Sequence, residues 1–372
     1  MNYYCPFTLT LDAMERLLLI NITADPDDIY VGFEPQVFDD SVSGHGLIVI
    51  AYLPDGRFDV FYQPGVSLEG RNYDIVGKGV REKVARPMTG ARFDITTTGV
   101  DLDIAFDDLN GRSIVLRIHE AGGKRTHPFG ILAPMGNAVE RPPALPLFFL
   151  NDFYFVRRAK TELLISINGR AHKPDSIPMI LDGARISFLR YSAAPLLVNW
   201  NASIDGELRP LSVTAEEPHP GRFRATDGPV TYTFLLHEGH PALEAMTVAN
   251  ERHSLRIVFN PPFPDVMALP SRATAAGTFA IEAGACGTVT GEYRIEPATE
   301  GFELVLHPSG GWRPGPVQWG AKLIFRIVPL FLRWPTTYYW RGRINLTGTH
   351  PRLHSFWERS AAVEQGAVKL FR

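Results

Sequence analysis

LFFLNDFYFVRR, residues 147 to 158, sets Asn151, Asp152 and Tyr154 inside an otherwise apolar run. In an extended strand Asp152 and Tyr154 share one side, and Phe153 and Phe155 the other. A carboxyl group in such surroundings is desolvated, which raises its pKa and makes it a proton donor near neutrality. LDGARISFLRYSAAPLLVNWN, residues 181 to 201, repeats the arrangement with Asp182, Arg190, Tyr191 and Trp200. Arg190 and Tyr191 point to opposite faces there, so only one of them faces any cavity. LRWPTTYYWRGRI, residues 332 to 344, puts Tyr339, Arg341 and Arg343 on one face and Tyr338 and Trp340 on the other. Aromatic faces beside cations stabilise a developing carbocation and orient an anionic headgroup. The candidate acids are therefore Asp152 and Asp182, and the candidate pocket residues are Tyr154, Tyr191, Trp200, Tyr339, Trp340 and Arg341. The competing structural reading places Asp152 in solvent or against Arg157 or Arg158, and the arginines over aromatic rings at a sheet surface.

Other chemistry recedes on inspection. HEGHPALE, residues 237 to 244, offers two histidines and two carboxylates, but the histidines flank a turn and lack the helical spacing of a zinc hydrolase. No metal is expected. There is no Gly-x-Gly-x-x-Gly after a strand, no Walker loop and no Gly-x-Ser-x-Gly elbow, so the chemistry is read as cofactor-independent. Lys and Arg number 37 against 40 Asp and Glu, and the basic residues are scattered, which argues against a nucleic-acid partner. No apolar run reaches the length of a spanning helix: AKLIFRIVPLFLRWP is broken by Arg326 and Pro329. Two cysteines in 372 residues, and no signal-like start, lead to the expectation of a cytoplasmic protein.

The elements that must position these residues read as antiparallel strands. In GLIVIAYLPDGRFDVFYQPG, residues 46 to 65, an unbroken apolar run precedes PDGR, and Phe58, Val60 and Tyr62 then alternate with Arg57, Asp59 and Phe61. One strand of this hairpin is thus expected to be covered on both faces. The turn signals recur as LNGR at 109 to 112, INGR at 167 to 170, LDGAR at 181 to 185 and IDGE at 204 to 207. Helical periodicity is confined to DAMERLLLI, where Asp12 and Glu15 have capping-box spacing, and RLHSFWERSAAVEQ, with Leu353, Phe356 and Trp357 at i, i+3, i+4. These patterns predict an all-β protein of two antiparallel barrel or sandwich domains with few short helices. The Pro-rich stretch at 133 to 146 separates a first domain, 1–132, from a second, 147–345, followed by a helical tail, 346–372.

Tandem β-rich halves with DGR-type hairpins, an aromatic-rich second half and LRWPTTYYWRGRI resemble the two-domain lipocalin-like proteins that include carotenoid hydratases and some Diels–Alder cyclases. The resemblance implies an apolar pocket for polyene or isoprenoid-like molecules and carries no catalytic residue with it. The expectation is an enzyme of hydratase, isomerase or cyclase type acting on a hydrophobic small molecule; the alternatives are a non-catalytic lipid or pigment carrier and a scaffold for protein interaction. Oligomeric state is left open. A ligand is expected against Tyr154 and at least one of Trp200, Tyr339 and Trp340, and a ligand near Tyr52 and Phe58 would contradict that placement.

Overall fold

Residues 47 to 53 are apolar without interruption because the strand that holds most of them, Gly44–Tyr52, is covered on both faces. Leu47, Val49 and Ala51 enter one buried cluster, and Ile48 and Ile50 another. The computed structural model describes residues 1–372 except 42, 69–77, 123–127, 135–140, 182, 217, 218, 220, 250, 251, 318 and 361–372. Among the described residues strand is the dominant regular structure, with few short helices.

Gly44–Tyr52 belongs to a ten-stranded sheet that runs Phe129–Ala133, Leu145–Arg157, Ala184–Trp200, Arg16–Asn21, Gly32–Asp40, Gly44–Tyr52, Phe58–Tyr62, Val80–Ala85. Leu9–Ala13 and Ser176–Leu181 pair with the long strand Ala184–Trp200 as well. One face shares its cluster with a five-stranded sheet formed by Thr89–Ile95, Val100–Asp107, Ser113–Glu120, Thr161–Ile167 and Arg170–His172. That smaller sheet buries Phe93, Leu102, Ile104 and Phe106 and turns Arg92, Asp101 and Asp103 outward, as the alternation in its sequence requires. The opposite face of the ten-stranded sheet shares a continuous cluster with an eleven-stranded sheet built from residues 205–359. Each fully buried Leu, Ile or Phe contributes about 2 kcal/mol before chain entropy is counted.

The eleven-stranded sheet is curled. Its edge strands are Asp205–Glu207 and Thr214–Ala215, which stand next to each other in the chain. Laid flat, eleven strands would hold their edges about 48 Å apart, whereas seven residues span at most about 25 Å. Between the edges, Pro210–Ser212 pairs with Asn2–Tyr4 in a two-stranded sheet of its own. Aromatic side chains from outside the sheet fill its apolar side: Phe7 lies 5.1 Å from Phe259, 4.7 Å from Phe263 and 6.0 Å from Trp340. Trp200 lies 4.9 Å from Phe279 and 5.9 Å from Trp357. No sheet closes into a barrel among the described residues.

Several expectations are corrected. DAMERLLLI is not a helix but parts of the strands Leu9–Ala13 and Arg16–Asn21. Leu17 and Leu18 enter opposite clusters, which a strand allows and a helix face does not, and Glu15 pairs with Arg252 instead of capping. RLHSFWER is the strand Arg352–Arg359, paired along its length with Tyr338–Asn345; the remainder of the expected helical tail, 361–372, lies outside the described residues. Helix occurs instead at Trp319–Ile327 and Leu330–Arg333. No helix among the described residues is long and apolar enough to cross a membrane. PDGR, LNGR and INGR do make turns, with Gly56, Gly111 and Gly169 at positive φ, but IDGE falls in the edge strand Asp205–Glu207. The stretch at 133 to 146 connects Phe129–Ala133 to Leu145–Arg157, which pair antiparallel. Residues on its two sides share the ten-stranded sheet, and the eleven-stranded sheet begins at Asp205.

Candidate functional site

The candidate residues named from the sequence fall in separate places. Asp152 is exposed, with φ of 47°, and is the extra residue of a bulge where Phe129–Ala133 pairs with Leu145–Arg157. A solvated carboxyl at that position is not the desolvated acid expected from the strand pattern. Asp182 lies outside the described residues. Tyr154 and Tyr191 do meet, with ring centroids 6.3 Å apart, in the cluster shared with the five-stranded sheet. Trp200 and Trp340 belong to the other cluster. Tyr339 stacks on His307 at 4.0 Å, while Arg341 pairs with Glu358 in solvent, on the face of the strand opposite Trp340. His237 and His240 oppose each other at an exposed hairpin end, and no metal-ligand cluster occurs among the described residues. Among the described residues the expected pocket residues are thus divided between the two clusters and the strand surface.

A different group is. Glu34 and Gln36 on Gly32–Asp40, Tyr52 on Gly44–Tyr52 and Arg190 on Ala184–Trp200 converge on the ten-stranded sheet. They stand on the face that carries Ile48, Ile50, Phe58 and Phe155. Glu34 pairs in register with Ile50, and Gln36 with Ile48, so two polar side chains sit within apolar rows. Glu34 is 3% exposed and Gln36 2%. The Tyr52 hydroxyl donates to Glu34 Oε2, and Gln36 Nε2 donates to Glu34 Oε1 at 2.8 Å. Arg190 donates to Asn21 Oδ1 and lies 4.0 Å above the ring of Phe188, which stacks on Phe155. Burial pushes the Glu34 carboxyl above its ordinary value, and the hydrogen bonds from Tyr52 and Gln36 and the charge of Arg190 offset only part of that rise. Burial pulls Arg190 down to about 10, with the charges of Glu34 and Tyr52 opposing. Among the described residues neither Gln36 Oε1 nor Arg190 Nε, both buried, has a hydrogen-bond partner.

The sequence contains a signal for part of this group. Glu34 and Gln36 are polar at alternate positions in VGFEPQVF, where the neighbouring strands carry the unbroken apolar runs LLLI at 17 to 20 and LIVIA at 47 to 51. The alternation around Arg190 gives its face, but its partners lie more than 130 residues earlier in the chain, and only strand pairing reveals them. Chemically the group can hold a proton on a carboxyl between a phenol and an amide, next to a guanidinium and an aromatic wall. No protein-family model, curated protein or solved structure matches this chain.

Proposed function

We propose that this chain is a cofactor-independent acid–base enzyme, of hydratase, isomerase or cyclase type, acting on an apolar small molecule such as an isoprenoid or polyene, with Glu34 as proton donor. The single observation that carries the reading is the buried Glu34 carboxyl, held toward its protonated form amid Tyr52, Gln36 and Arg190, two of which keep unpartnered polar atoms. A neutral carboxylic acid in a dry apolar wall transfers its proton to an alkene or carbonyl carbon or oxygen. The resulting carboxylate is stabilised by the Tyr52 hydroxyl and the Arg190 charge and recovers a proton from water or from an adjacent carbon. General acid catalysis of this kind contributes about 100-fold to 10,000-fold.

The lipocalin-like likeness belongs to the same proposal. It is supported by the curl of the eleven-stranded sheet and the aromatic filling of its apolar side. Free Cys5 and Cys286 support residence in a reducing, cytoplasmic compartment. The scattered basic residues support the absence of a nucleic-acid partner.

The test is deuterium incorporation from heavy water into isoprenoid alcohols and carotenoid polyenes, read by mass spectrometry. The full chain is expected to label a substrate of this class, and Glu34→Gln to abolish labelling while a fluorescent polyene fatty acid still binds with unchanged affinity. Saturable binding without labelling by either protein would make the chain a carrier, and labelling retained by Glu34→Gln would remove Glu34 from the chemistry.

A further inference from the structure

Between Glu303 and Glu358 the sequence contains no Asp or Glu, while Arg313, Lys322, Arg326, Arg333, Arg341, Arg343 and Arg352 all fall there. In a chain with a net charge of −3 this is a local reversal of sign. Three of these cations are neutralised at strand surfaces: Arg341 by Glu358, Arg343 by Glu303 and Arg352 by Asp205. Lys322, Arg326 and Arg333 are exposed and make no ion pair among the described residues. They sit on the two consecutive helices Trp319–Ile327 and Leu330–Arg333.

Among its described side chains the longer helix is anchored by one edge. Ala321 and Phe325, one turn apart, are buried; the Phe325 ring meets Trp312 at 5.1 Å, Phe331 at 5.4 Å and Phe129 at 6.4 Å. At 100° per residue Lys322 with Arg326 and Leu323 with Ile327 form two adjoining stripes away from that edge. Leu323 is 43% exposed and Ile327 50%, two of the few large apolar side chains that the fold leaves in water. Val328, Leu330, Phe331 and Leu332 are half-buried beyond them, around a proline that ends the first helix. An apolar stripe beside a basic one, on a helix laid along the protein surface, is the pattern that inserts shallowly at a bilayer interface while its cations meet acidic headgroups. A polyanion without an apolar layer would leave Leu323 and Ile327 in water, and an acidic protein surface gains less from them than acyl chains do.

We infer that the helical segment 319–333 docks the protein on an anionic lipid surface, with Leu323 and Ile327 entering the headgroup layer and Lys322, Arg326 and Arg333 contacting lipid phosphates. The inference is independent of the proton chemistry at Glu34. Co-sedimentation of the full chain with phosphatidylcholine vesicles, with and without phosphatidylglycerol, tests it. The protein is expected to sediment with the anionic vesicles and not with the neutral ones, and to be released at about 0.5 M salt, where screening is short-ranged. Leu323→Asp/Ile327→Asp is expected to abolish binding, and Lys322→Gln/Arg326→Gln to weaken it about tenfold. All four side chains are exposed, so an unchanged denaturation midpoint accompanies both variants. Absence of binding, equal binding to both vesicle types, or binding indifferent to both variants would overturn the inference. So would self-association in sedimentation velocity that the Leu323→Asp/Ile327→Asp variant removes, since the face would then join two copies of the chain.

Discussion

Two carboxyl groups are buried to the same extent, Glu34 and Glu120 at 3% exposure each, on opposite sides of the ten-stranded sheet, and they are held in opposite ways. Glu120 accepts backbone N–H bonds from Val100 at 3.1 Å and Arg157 at 2.9 Å and a hydroxyl bond from Tyr191 at 3.3 Å. It thereby ties the five-stranded sheet to the bulged end of Leu145–Arg157. Gly99, with φ of 143°, is part of the fitting, because a Cβ there would come within 2.2 Å of the Glu120 carboxylate. Among the described residues Glu34 receives only side-chain donors, and Gln36 and Arg190 beside it keep polar atoms without partners. Burial raises the pKa of both, but backbone donors hold Glu120, whereas among the described residues only side chains hold Glu34, and on that difference its proposed role as proton donor rests.

Glu120→Ala is expected to give the largest effect, a loss of about 3 to 5 kcal/mol in chemical denaturation, because it strands two buried N–H donors and opens a cavity. Glu34→Ala costs less if the comparison holds, and an equal loss would break it. Glu34→Gln sharpens the contrast through pH. A carboxyl whose folded pKa is raised binds more protons folded than unfolded, so wild-type stability falls as pH rises from the ordinary 4.5 through the raised value. Removing that carboxyl is therefore expected to stabilise the protein by about 1 kcal/mol at neutral pH, with the gain vanishing toward pH 4.5, as urea titrations at several pH values would register.

The two tyrosines give a smaller and more discriminating pair. Tyr191→Phe removes one of three bonds to Glu120 and is expected to cost about 1 kcal/mol. Tyr52→Phe removes a bond that lowers the Glu34 pKa, so the pH window of that group is expected to move upward, visible as a shifted pH profile of proton exchange. The smallest effect belongs to Asp152→Asn. Asparagine tolerates the positive φ at this exposed bulge, so stability should change by less than about 0.5 kcal/mol and turnover not at all. A large loss of turnover there would move the chemistry back to the strand where the sequence first suggested it.

Many local patterns in the sequence report faces and turns correctly. Phe93, Leu102, Ile104 and Phe106 alternate inward as their spacing predicts, PDGR turns, and the unbroken apolar run at 47 to 53 is a strand covered twice. Failures arise where two periods fit the same residues. Leu353, Phe356 and Trp357 match a helical face, yet pairing with Tyr338–Asn345 buries Leu353 and Trp357 as strand neighbours of one parity. The helix that does form, Trp319–Ile327, reads in sequence as an interrupted apolar run, although Ala321 and Phe325 carry its buried spacing. The Glu34 group is legible only in part, for a topological reason. Arg16–Asn21 lies between Gly32–Asp40 and Ala184–Trp200, and no local rule predicts that a strand from residues 184 to 200 joins that edge.

The pairing of Asn2–Tyr4 with Pro210–Ser212, and the seating of Phe7 among Phe259, Phe263 and Trp340, set an order in time. Residues 2 to 9 leave the ribosome about 200 residues ahead of their first partner strand, an interval of about 10 to 40 s at ordinary rates of synthesis. Throughout it, Tyr3, Phe7 and Leu9 have no sheet to enter and are surfaces for a chaperone or for another nascent chain. Slow or stalled translation before residue 210 lengthens that interval and is expected to raise aggregation.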